Sequence, residues 1–231
     1  ANNFTVDNCQ ISACSKGIAF HGAATSVCNA LTITNNVIGD ATPNNSTTIY
    51  TQGISAQGFT TASIKSNTIR NIDGWVGSST GSNIVCGIAL GNVSANGLGA
   101  VVEKNVIQHV YCRNTGTWPS CGIFLALSTG SGSTLKNNFI SDIVRDGTGG
   151  TGFGNALNCS GIKINAGTTY NIYNNSVHMF GSYLGGTGTS MLSSCLSLNT
   201  AGQTNVDVRN NIFVNTMTGG GASNVHCCVH L

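Results

Sequence analysis

The residues able to do chemistry are few and scattered. Seven carboxylates (Asp7, Asp40, Asp73, Glu103, Asp142, Asp146 and Asp207) and five histidines (His21, His109, His178, His226 and His230) are spread over 231 residues. Acid–base cleavage of a polysaccharide, or a calcium site, calls for carboxylates gathered in one place. Only Asp142 and Asp146 are close in sequence, and no Asp-Asp pair occurs. Nucleophile elbows, phosphate loops and metal-ligand motifs are missing too. The chain therefore reads as a non-enzyme that needs no cofactor and no metal. Asp40, Asp73 and Asp142 do recur just after one half of a repeat; they read as solvated turn carboxylates, with a weak calcium or sugar contact as the alternative.

The ten cysteines are Cys9, Cys14, Cys28, Cys86, Cys112, Cys121, Cys159, Cys195, Cys227 and Cys228. None forms a CxxC pair, which argues against zinc ribbons and thioredoxin-like chemistry. Disulfides in an oxidising compartment are the expectation, and buried free thiols the alternative. That expectation places the protein at the cell surface or outside the cell.

What must position these residues is a repeat. Its first half reads Gly-apolar-x-apolar at Gly17-Ile18, Gly53-Ile54, Gly87-Ile88, Gly122-Ile123 and Gly161-Ile162, with Cys195-Leu196 and Cys228-Val229 in the same pattern. Its second half reads apolar-x-Asn-Asn-x-apolar, as in Ile33 to Ile38 and Ile172 to Val177. Starts recur every 33 to 39 residues, a period shared with helical arrays. Apolar residues alternate at period 2 within each half, and Val, Ile, Thr and Asn dominate, so each half is strand and not helix.

A single coil cannot bury its apolar side chains; neighbouring coils must complete the core. The chain is thus expected to be one all-β domain over 1–231, a right-handed parallel β-helix of about six to seven coils with uncapped ends. Ile18, Ile54, Ile88, Ile123, Ile162, Leu196 and Val229 should form one inward column. Phe20, Ala56, Leu90, Leu125, Ile164, Leu198 and Leu231 should form the next. Asn36, Asn67, Asn105, Asn138, Asn175 and Asn211 share a register suited to a tight turn and to coil-to-coil hydrogen bonding. Cys86 with Cys121, and Cys195 with Cys228, occupy one register on adjacent coils. A Cα separation near 4.8 Å fits a disulfide, so both pairs are disulfide candidates.

The motifs Asn171-Ile172-Tyr173-Asn174-Asn175-Ser176-Val177 and Val208-Arg209-Asn210-Asn211-Ile212-Phe213-Val214-Asn215, with the Gly-Ile starts, resemble secreted bacterial right-handed β-helix repeat proteins. The resemblance spans nearly all the chain. It implies the fold, and it leaves function open among adhesins, scaffolds and polysaccharide-active enzymes. Phe20-His21-Gly22 is faintly similar to the Gly-His-Gly of polygalacturonases, but without partner carboxylates His21 reads as a solvent-facing strand residue.

Charged residues make up only 7% of the chain and the net charge is +2, which gives a nucleic acid no basic surface to bind. No apolar run approaches membrane-spanning length, so no membrane insertion is expected. Loops of variable length carry Tyr50, Trp75, Tyr111, Trp118, Phe153 and Tyr183 on one side; Trp75 and Trp118 are the candidate sugar or lateral contacts. The outward position after the second-half apolar residue holds Asp7, Thr34, Lys65, Glu103, Lys136, Tyr173 and Arg209. The two ends of the chain are complementary half-coils. Asp7, Arg209, Val229 and Leu231 would meet across a head-to-tail junction that does not close, and such contacts build filaments. The expected function is an extracellular structural scaffold, a filament subunit whose partner is itself. An excised piece of a longer β-helix is the competing explanation of the open ends, and a carbohydrate-binding adhesin or, less so, a polysaccharide lyase or hydrolase the alternative function.

Overall fold

The computed structural model describes residues 2–22, 27–42, 48–74, 84–91, 97–113, 119–127, 132–145, 158–183, 192–198, 203–219 and 224–231. They form a β-solenoid. Among the described residues there is no helix, and every strand pairing is parallel.

Each full coil has three faces. The first is a seven-stranded sheet running Asn3–Asp7, Cys28–Thr34, Phe59–Lys65, Gly99–Glu103, Ser133–Lys136, Tyr170–Tyr173 and Val206–Arg209. The second face, separated from each first-face strand by two residues, includes Thr68–Gly74, Val106–Cys112, Phe139–Arg145, Ser176–Met179 and Ile212–Asn215. The third carries the Gly-Ile segments, including Cys14–His21, Ile49–Gln57, Val85–Leu90, Ser120–Ala126, Cys159–Ala166, Leu192–Leu198 and Val225–His230. A short separate pair, Ser182–Tyr183 with Thr218–Gly219, lies beyond the second face.

The expected columns are present. Ile18, Ile54, Ile88, Ile123, Ile162, Leu196 and Val229 pair in register from coil to coil. So do Phe20, Ala56, Leu90, Leu125, Ile164 and Leu198. Ile54, Ile88, Ile123 and Ile162 are each 0% exposed; burying a side chain of this size contributes about 1.5–3 kcal/mol.

The glycines stand where the third face approaches the second. A Cβ on Gly87 would lie 2.5 Å from Ile107 Cγ2 and 2.8 Å from the Gly122 carbonyl oxygen. Gly53, Gly122 and Gly161 meet Ile69, Ile140 and Val177 in the same way. The repeat thus needs glycine for space, so that a branched side chain from the second face can occupy the volume.

The third face is unusual in being buried on both sides. All six residues of Val85–Leu90 are buried, and so are all but the last of Ser120–Ala126. Cys86, Ala89, Cys121 and Phe124 form a second apolar cluster outside the main core. Lys163, on the same outer side, is also buried.

Candidate functional site

Asparagine builds the corner between the first and second faces. The left-handed residue there is the one before the ladder asparagine: Asn8, Asn35, Ser66, Lys104, Asn137, Asn174 and Asn210 all have φ between 53° and 57°. The sequence pointed to the following residue. Asn36, Asn67, Asn105, Asn138 and Asn175 turn inward instead and are 0–1% exposed. Asn67 shows the pattern: its Nδ2 donates to Ile33 O at 3.0 Å and to Asn105 Oδ1 at 2.9 Å. Its own Oδ1 accepts from Asn36 N–H and Nδ2. The chain of bonds runs on through Asn138 and Asn175 to Asn211. At that end Asn211 Nδ2 turns back to Ile172 O and Arg209 O. At the other end the ladder position is Cys9, whose N–H donates to Asn36 Oδ1 and whose Sγ contacts Asp7 O.

Outside the same corner runs the charged column, in register from Asp7 to Arg209. Glu103 lies between Lys65 at 3.5 Å and Lys136 at 3.6 Å. Loss of hydration opposes its ionisation, but Lys136, Lys65 and Lys104 outweigh this and hold the carboxyl below the usual carboxylate range. At the ends, Asp7 accepts from Thr34 Oγ1 and Asn35 Nδ2, and Arg209 Nε donates to Asp207.

The cysteines overturn one expectation. Cys86 and Cys121 are in register, as are the coils bearing Cys195 and Cys228, yet all ten cysteines are free thiols. In-register parallel strands keep Cβ atoms at the strand spacing of about 4.8 Å, whereas a disulfide needs about 3.5–4.5 Å. Neither candidate bridge is formed. Burial pushes the Cys121, Cys159 and Cys195 thiols up to about 12.

A polar row on the second face escaped the sequence reading. Asn71, His109 and Asp142 occupy one register position, skipped by the strand pairing on all three coils and left-handed at φ 54°, 58° and 56°. Here His109 Nδ1 meets Asp142 Oδ2 at 2.8 Å, and the Tyr111 hydroxyl donates to Asp142 Oδ1 at 3.0 Å. Arg113 Nε donates to both oxygens of Asp73 at 3.0 Å. The imidazole and phenol rings stack with centroids 4.0 Å apart, and the guanidinium carbon lies 5.5 Å from the phenol centroid. Burial, then the Asp142 charge, raises the phenol above its usual range, so Tyr111 stays a donor. Asp40 does not join this row; its carbonyl accepts from Asn71 Nδ2. His21 is exposed, as expected of a solvent-facing strand residue, with Nε2 3.3 Å from Ser55 Oγ, and partial desolvation followed by Lys16 lowers its pKa.

Trp75, Trp118, Phe153 and Asp146 lie outside the described residues; Tyr50 is exposed. Among the described residues no group of three His, Cys, Asp or Glu side chains could hold a metal ion, and no helix is long and apolar enough to cross a membrane. Comparison of the chain with protein-family models, with characterised proteins and with solved structures finds no match.

Proposed function

We infer that the chain is a structural scaffold lengthened by head-to-tail stacking of copies of itself, at a cell surface or outside the cell. One observation supports this reading: the inward columns, dry in the middle of the stack, open to solvent at both edges with matching chemistry. At one edge Val208, Val229 and Leu231 are 41%, 43% and 83% exposed and Phe213 is only partly buried. At the other edge Val6, Ile11 and Phe20 are only partly buried. In continued register Val208 would cover Val6, Phe213 would cover Ile11, Val229 would cover Ile18 and Leu231 would cover Phe20. The strand edges themselves offer unpaired N–H and C=O groups, a template for another chain.

Asp7 and Arg209 would then be neighbours. Each already has partners in its own chain, and both are solvent-screened, so the pair would set register and not drive assembly. With the thiols free, the extracellular placement rests on the resemblance. The test is electron microscopy and sedimentation of the chain over a range of concentrations. Fibres are expected, and Val229→Asp with Leu231→Asp should leave a folded monomer. Monomers alone at every concentration would overturn the reading, as would finding further coils of a longer polypeptide on these edges in native material.

A further inference from the structure

The row on the second face serves neither the stack nor its edges. It gathers two carboxylates and three planar side chains on the outer surface of the second face. Its charges are also layered. Asp73 and Asp142 are 9% and 19% exposed, whereas Arg113 and His109, which they hold, are 37% and 25% exposed. The carboxylates lie inboard and the nitrogen-bearing tips face solvent.

Each tip has unused capacity. Arg113 gives Nε to Asp73, and its two Nη groups have no partner among the described residues. Such a pair of parallel donors matches an oxyanion bidentately. On His109, Nδ1 is taken by Asp142, and Nε2 has no partner among the described residues. A carboxylate at Nδ1–H leaves Nε2 of the neutral ring as an acceptor, suited to a hydroxyl. Tyr111 stacks between the functions and keeps both planes in place. The steps of 4.0 and 5.5 Å along the row put imidazole and guanidinium within reach of one disaccharide.

We propose that His109, Tyr111 and Arg113, held by Asp142 and Asp73, form a binding site for an acidic sugar, a hydroxylated ring bearing a carboxylate or sulfate ester. Arg113 takes the oxyanion and His109 Nε2 takes a hydroxyl. The site is independent of head-to-tail stacking, because it lies on the side of the coils and not on their edges. It is distinct from the sugar contact expected at Trp75 and Trp118, which lie outside the described residues.

The experiment is titration of the full chain, followed by the NMR signals of the His109 imidazole. The probes are glucuronate, an oligomer containing glucuronate, glucose 6-sulfate and glucose. Saturable shifts are expected with the acidic probes and not with glucose. Monosaccharide binding would identify a free sugar as sufficient, and binding of the oligomer alone would identify a polymer as the source. Arg113→Gln should weaken binding at least about tenfold, as loss of a charged hydrogen bond does. His109→Gln should weaken it less, and both variants should melt with the parent. If Arg113→Gln fails to fold, Arg113→Lys keeps the charge without the fork and should still lose affinity. Absence of saturable shifts with every acidic probe, equal binding of glucose, or unchanged affinity in the folded Arg113 variant would overturn the proposal.

Discussion

Asn138 Oδ1 accepts two hydrogen bonds from Asn105, one from its backbone N–H at 3.1 Å and one from Nδ2 at 3.0 Å. The same double contact recurs from Asn36 to Asn211. One amide in the middle of the ladder therefore satisfies groups on both neighbouring coils, away from water. A buried donor or acceptor left unpaired costs about 1–3 kcal/mol. Asn105→Ala strands partners at Ile64, Asn67 and Asn138 and should cost about 3 kcal/mol or more in denaturant unfolding. Asn211→Ala, at the edge, should cost much less. Equal losses at the two sites would mean the amides do not act as a column.

Gly87→Ala tests the space requirement of the third face. The added methyl meets Ile107 and the Gly122 carbonyl, and overpacking of this kind costs about 1–3 kcal/mol. Ile107→Ala in the same chain removes one of the two clashes. Thermal unfolding should show the double variant less destabilised than the sum of the single changes; strict additivity would exclude the packing argument.

The thiols should divide by burial. Cys9 and Cys228 are exposed, whereas Cys86, Cys112, Cys121, Cys159 and Cys195 are buried. Iodoacetamide should label the first pair in the folded protein and the second set only after unfolding. The raised thiols have a pH consequence. Folded Cys121, Cys159 and Cys195 hold their protons to about 12, against the ordinary thiol value of 9.0. The folded state therefore binds more protons between those values, and stability, full below about pH 9, falls as pH rises toward 12. A melting temperature that stays flat from pH 8 to 11 would contradict the burial of these groups.

Cys9 marks where stacked copies would be weakest. In a head-to-tail junction Asn211 of one copy would face Cys9 of the next, and a thiol is a weak acceptor. Cys9→Asn supplies the missing amide and should tighten association about tenfold in sedimentation, the effect of one additional net hydrogen bond. An unchanged association constant would show that the copies do not meet in this register.

Legibility in the sequence followed the range of the cause. Ile18, Ile54 and Ile88 declare their column because each repeat carries its own copy of the pattern. The ladder asparagines were readable for the same reason. Which of Asn35 and Asn36 turns left-handed was not, because both are asparagine; Ser66-Asn67 and Lys104-Asn105 hold the clue, since only the second member recurs. The bridge between Cys86 and Cys121 was misjudged because register fixes Cα positions and not the distance between parallel Cβ atoms. His109, Tyr111 and Arg113 alternate visibly, but Asp142 and Asp73 reach them from neighbouring coils, Asp142 from a left-handed position that no local pattern announces. The double burial of Val85–Leu90 was hidden by its mixed composition on the outer side.

The direction of the asparagine bonds has a mechanical consequence. Backbone pairing and amide ladder both point along the stacking axis, so tension along that axis loads the coils in series, whereas a sideways load is carried by the covalent chain around each turn. A pulled stack would part at its feeblest step and leave the remaining turns wound.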